Sequence, residues 1–149
     1  MAVDTDHYAP NKVSGVLEKA YSAYYPMKLA SLLGDKTTYV KYREIALSYQ
    51  DLWNPTQKDD QQNVRGFFTP NAETVASVSK INEFAYQGNL WHYRWLVPHD
   101  VKGLAKLRGR CEQLADDLEY FFEIDEYMHL TSDYPGFLLN KFEFSSHFN

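Results

Sequence analysis

The chain lacks most of the signatures that identify a function at sight. It has one cysteine, Cys111, in 149 residues, so no intramolecular disulfide can form. Glycine and proline are sparse, at 7 and 6, which excludes collagen-like and Pro/Gly-rich low-complexity classes. No apolar run reaches the roughly 18 residues that a membrane span needs. Residues 1–11 are polar, with no apolar segment of the secretory type. The sequence contains no Gly-x-Ser-x-Gly, no phosphate-cradling glycine loop and no pair of cysteines. A cytoplasmic protein is the expectation, of a cell or of the host cell if viral.

Basic residues are also in deficit. Asp and Glu number 20 against 15 Lys and Arg, for a net charge of −5. Phosphate neutralisation needs a cationic excess, which weighs against a nucleic-acid partner. The segment with Trp91, Tyr93 and Trp95 interleaved with His92 and Arg94 is the one stretch with stacking and basic groups together.

What is present is apolar and aromatic. Apolar residues make up 44%, and 12 Tyr, 9 Phe and 3 Trp bring aromatics to 16%. Such rings either fill a core or serve a wet contact surface. The length suits a single domain spanning 1–149.

Helical periodicity organises that domain. Leu104, Leu107, Cys111, Leu114, Leu118 and Phe121 recur at spacings of three and four. They predict one long helix over 100–128, capped by Asp100 and with Cys111 on its buried seam. Val13, Val16, Leu17, Ala20, Tyr21 and Tyr24 predict a first helix that Pro26 breaks or kinks. A short helix would follow to Leu33, closed by Gly34. Tyr39, Tyr42, Ala46, Tyr49 and Trp53 predict another, with Thr38 as N-cap. Thr69-Pro70 opens a further helix whose buried face is Val75, Val78, Ile81 and Ala85. Residues 90–97 alternate as a strand would, yet helical spacing also fits and is preferred, since no other convincing strand could pair with them. The expected fold is therefore mainly α. It is a compact bundle of about four to five helices with a long C-terminal helix and room for one minor strand pair. Residues 1–10 read as a flexible arm and 54–66 as a mobile polar loop.

Two constellations could carry metal chemistry. His99-Asp100 offers an imidazole beside a carboxylate. Glu126 and His129 form a Glu-x-x-His, with Glu123 one turn earlier, as used in di-iron bundles. Each is half a site: the pair beside a proline also reads as an exposed histidine next to a capping aspartate, and Glu-x-x-His has no counterpart elsewhere. No cofactor is implied.

Charge layout points elsewhere. In the predicted long helix Lys102, Lys106, Arg108 and Arg110 come first. Glu112, Asp116, Asp117, Glu119, Glu123, Asp125 and Glu126 follow. A helix dipole favours the reverse order, so the layout suggests a surface shaped for a basic partner or a second copy. The sequence reading is thus a small acidic, non-enzymatic protein–protein interaction module: an inhibitor, an immunity-type protein or an accessory or assembly component of a bacterium or virus. Its contact residues would be Asp116, Asp117, Glu119, Glu123, Trp91, Tyr93 and Trp95. The alternative is a metal-dependent helical-bundle enzyme using His99/Asp100 or Glu123/Glu126/His129.

Overall fold

The computed structural model describes residues 12–123. Helix α1 (Val13–Leu33) and helix α2 (Lys36–Leu47) form a tightly packed hairpin. Gly34 closes α1 at φ 73°, a conformation that costs glycine nothing, and its N–H meets the carbonyls of Ala30 and Ser31. Asp35, not Thr38, then caps α2: its carboxylate accepts the Thr38 N–H at 3.0 Å. Pro26 does not break α1. The carbonyl that loses its partner belongs to Ser22, which is exposed, so water can take the place of the missing N–H.

A 3-10 turn (Ser48–Leu52) leads into β1 (Trp53–Asn54), which pairs antiparallel with β2 (Phe67–Phe68). Both Phe67 and Phe68 are buried, and their rings meet Trp91 and Trp53. Between the strands, residues 57–66 wind around two buried polar side chains. Asp59 accepts the N–H groups of Gln61 and Asn63 at 2.9 and 2.8 Å, and Gln57 spans to Val75 through both ends of its amide.

The helix expected from Thr69 to Ala85 is absent. Only a 3-10 turn (Pro70–Ala72) forms, and the chain to Asn89 is irregular. Positive φ at Asn71, Ala72, Asn82 and Gln87 interrupts any helical ladder. The backbone bonds go to other elements instead: Val13 N–H donates to the Phe84 carbonyl, Tyr86 N–H to Ser14 Oγ, and Lys12 Nζ to the carbonyls of Asn82 and Glu83. The segment thereby anchors the start of α1. Its apolar spacing is still used, since Val78 and Ala85 are buried.

Helix α3 (Leu90–Tyr93) is one turn long, begun by a reciprocal cap between Asn89 and His92. The predicted long C-terminal helix is two helices, α4 (Val101–Arg108) and α5 (Cys111–Glu123). Gly109, at φ 116° and ψ −53°, stands between them in a conformation that L side chains rarely adopt. The break eases the conflict with the helix dipole at the two ends that it creates. Lys106 and Arg108 now lie in the last turn of α4 and Glu112 in the first turn of α5, each at the end that favours its charge. The break also turns the seam. Leu104 is buried, but Leu118 is exposed and Cys111 lies on the surface. The Cys111 thiol should therefore react stoichiometrically with a disulfide reagent in native buffer. A reaction that requires denaturant would return it to the core.

The fold is mainly α, with five α-helices and one small strand pair among the described residues. Its core is aromatic and central: Leu17 of α1, Tyr49, Trp53, Phe67, Phe68, Leu90, Trp91, Val97 and Leu104. None of its helices is long and apolar enough to cross a membrane, among the described residues.

Candidate functional site

Two polar constellations stand out on this frame, one closed and one reachable. The closed one is built on Asp117, a fully buried side chain of α5. Arg65 from the loop after β1 approaches it at 2.8 Å, Arg94 from the end of α3 at 2.5 Å, and Arg108 from the end of α4 also contacts it. Arg65 reaches further to Asp59 at 2.9 Å and lies over the Tyr120 ring, 3.5 Å from its centre. Burial raises the Asp117 pKa, but the contacts with Arg108 and Arg94 outweigh it and hold the carboxyl below the ordinary range. Burial also pushes the Arg94 guanidinium down to about 10, against the opposing effect of Asp117. An aspartate held ionised in this way cannot donate a proton at neutral pH. The cluster therefore serves as a clamp joining α3, α4, α5 and the β1–β2 loop.

The reachable constellation lies where α4 begins beside α1 and α2. Asp100 caps α4: its Oδ1 accepts the Gly103 N–H at 2.9 Å, and its Oδ2 accepts the Tyr49 hydroxyl at 2.7 Å. Gly103 is required for this approach, because a Cβ there would collide with both Asp100 Oδ2 and the Tyr49 hydroxyl. Tyr49 is completely buried, and burial together with Asp100 raises its pKa above the ordinary phenol value. His99 Nε2 lies 2.9 Å from the Ala46 carbonyl, which can only accept, so this nitrogen carries the proton. The other ring nitrogen, Nδ1, is buried without a partner among the described residues. Rings of Tyr21, Tyr24 and Tyr49 surround the imidazole at 5.5 to 6.0 Å between centres. Tyr25 is 58% exposed and shares a hydrogen bond with Tyr21 at 2.8 Å. A half-buried carboxylate, an imidazole and phenols with polar tips thus converge on one side of the hairpin.

The residues expected from sequence to bind a partner are scattered. Trp91 is core, fully buried, and Trp95 is half-buried. Tyr93 is half-buried and donates to the Tyr86 carbonyl at 2.9 Å. Burial and the neighbouring Glu18 raise its pKa above the usual phenol value. Asp117 points inward, while Asp116, Glu119 and Glu123 are exposed. Of the metal constellations, His99 and Asp100 make the contacts above. Glu126 and His129 lie outside the described residues. No cluster of three or more His, Cys, Asp or Glu side chains placed to hold a metal occurs among the described residues. A groove of about 460 Å³ beside α4 and α5, lined by Trp95, Val97, Leu104, Leu114 and Leu118, has no carboxylate in its lining.

Residues 2–142 match the model of the glycosyl hydrolase family 92 catalytic domain. No curated protein matches the chain. The family match corrects the expectation of a non-enzymatic interaction or accessory module, and with it the expectation that the chain is more often read as a non-enzyme than as an enzyme. It equally corrects the alternative of a helical-bundle metalloenzyme, since the family's reaction class is glycoside hydrolysis. The physical reason for the miss is plain. Glycosidases work with a pair of Asp or Glu residues that flank the scissile bond in space, and such a pair needs no fixed spacing in sequence.

Proposed function

Because the chain belongs to glycosyl hydrolase family 92, we propose that it hydrolyses glycosidic bonds and engages its sugar at the face formed by Tyr21, Tyr24, His99 and Asp100, with the buried Tyr49 hydroxyl fixing Asp100 from behind. The family match over residues 2–142 is the observation that carries the reaction class. The placement rests on chemistry. A sugar presents C–H faces that pack on rings and hydroxyls that need polar partners, and pockets for such ligands combine apolar walls with a few fixed polar groups. Each Asp100 oxygen accepts one hydrogen bond in the folded chain and has a lone pair left for a sugar hydroxyl. In hydrolysis, water adds to the anomeric carbon while the leaving oxygen takes up a proton, so one glycoside and one water give a free sugar and an alcohol. A pair of carboxyl groups on the two sides of the bond does this work. Asp100 is the carboxylate of this chain that we assign to the sugar.

The test is a panel of nitrophenyl glycosides of common hexoses and pentoses, in both anomeric forms. At least one is expected to be cleaved, and Asp100→Asn is expected to lower kcat/KM by about 100-fold or more. Asparagine still caps a helix, so the variant should melt within a few degrees of the parent. A panel that is wholly inert would overturn the activity. A fully active Asp100→Asn would overturn the placement alone.

A further inference from the structure

The interior around Arg94 is lined by donors that meet no acceptor. Arg94 is completely buried, and its Nη2 is taken by the Arg65 carbonyl at 2.7 Å and by Asp117. Its Nε and Nη1 have no hydrogen-bond partner among the described residues, and neither do the indole nitrogens of Trp53, Trp91 and Trp95. These are the same indoles whose rings pack around the guanidinium, with centres 5.8, 5.6 and 5.1 Å from Cζ. Buried donors are nearly always satisfied, and a group of orphans in one place calls for a missing species.

Charge asks for the same thing. Three guanidinium groups, of Arg65, Arg94 and Arg108, face two carboxylates, of Asp59 and Asp117. The cations thus outnumber the anions by one, and of the three arginines only Arg94 has no exposure through which water could reach its free Nε and Nη1.

We propose that this donor-only shell holds a small monovalent inorganic anion of the halide class against the Nε–Nη1 edge of Arg94. A water molecule fits less well, because it must also donate, and the orphaned groups of Arg94 and its three indole neighbours are all donors. A metal cation is excluded by the sign of the charge. A sugar or a carboxylate ligand carries a body that a side chain with no exposure cannot admit. A bare halide accepts from several donors at once, has no preferred direction and cancels the excess charge.

The experiment uses crystals of the unmodified protein grown or soaked in bromide, together with melting curves in which chloride replaces gluconate at fixed ionic strength. An anomalous bromide peak within hydrogen-bond reach of Arg94 Nε or Nη1 is expected, along with a chloride-dependent rise in Tm of about 4 °C or more at saturation. Trp95→Phe keeps a ring but deletes one donor, and should reduce that rise. The absence of a peak would overturn the proposal and leave ordered water or N–H contacts to the ring faces as the account of the orphans. A peak with a Tm indifferent to the anion would overturn it equally, as binding at crystal concentration only.

Discussion

Replacing Asp117 with asparagine is expected to destabilise the fold by about 3–5 kcal/mol, the usual cost of removing one partner from a buried ion pair. The substitution keeps the volume and deletes only the charge. Its effect is unequal among the three arginines. The side chains of Arg65 and Arg108 retain 17% and 20% exposure and can recover hydration, whereas Arg94 retains none. Most of the cost therefore falls on Arg94, whose guanidinium stays charged inside the aromatic core. A fall in the urea midpoint with an unchanged m-value would show it. A loss under about 1 kcal/mol would mean that the clamp is incidental.

The same residue sets a pH dependence. The arginines hold the Asp117 carboxyl below its ordinary value of 3.8 in the folded chain. The stabilisation is then fully present above that value and is lost as pH falls from about 4 through the folded pKa. In that window Asp117→Asn should be markedly less sensitive to acid than the parent. Parallel acid curves for the two proteins would refute the assignment.

Trp91→Ala is expected to be comparably severe, at about 3–5 kcal/mol. Trp91 is fully buried at the point where β2, α3 and α5 meet. Its ring meets Phe67 edge-on at 4.7 Å and stacks on Phe121 at 5.9 Å. It also forms one wall around Arg94. Truncation leaves a void that the rigid neighbouring rings cannot fill, and it weakens the attraction between ring and guanidinium. The total stability of a domain is only about 5–15 kcal/mol, so the variant should be marginal at best. Trp91→Phe should be far milder, because a ring still fills most of the space between Phe67 and Phe121. Denaturation of the two variants side by side separates volume from mere aromaticity, and equal losses would refute the packing argument.

The family relationship could not be reached from motifs, but much of its frame could be read. The seam of Tyr39, Tyr42, Ala46 and Tyr49 correctly marked α2 and its 3-10 extension. Asp100 was recognisable as a cap because an aspartate before a helical pattern offers its carboxylate to the first free N–H groups. Its second partner, Tyr49, lies 51 positions away and could not be inferred. Nor does the sequence show why residue 103 is glycine, which leaves the space that this pairing needs.

By itself, the sequence determined that this protein is helical and that its core is aromatic, because periodicity and composition are local properties each segment carries alone. It also carried a mark of the break at Gly109, in the change from Lys106 and Arg108 on one side to Glu112 on the other. Tertiary structure alone decided which faces were used. Asp117 looks no different from Asp116 along the chain, yet one is enclosed by arginines from three different segments and the other meets water. The segment before Asn89 kept its apolar spacing and gave up its helix, because its hydrogen bonds were better satisfied by α1. A period reports which residues could share a face. Whether that face is buried, and by what, is settled by partners far away in sequence, whose contacts leave no local trace.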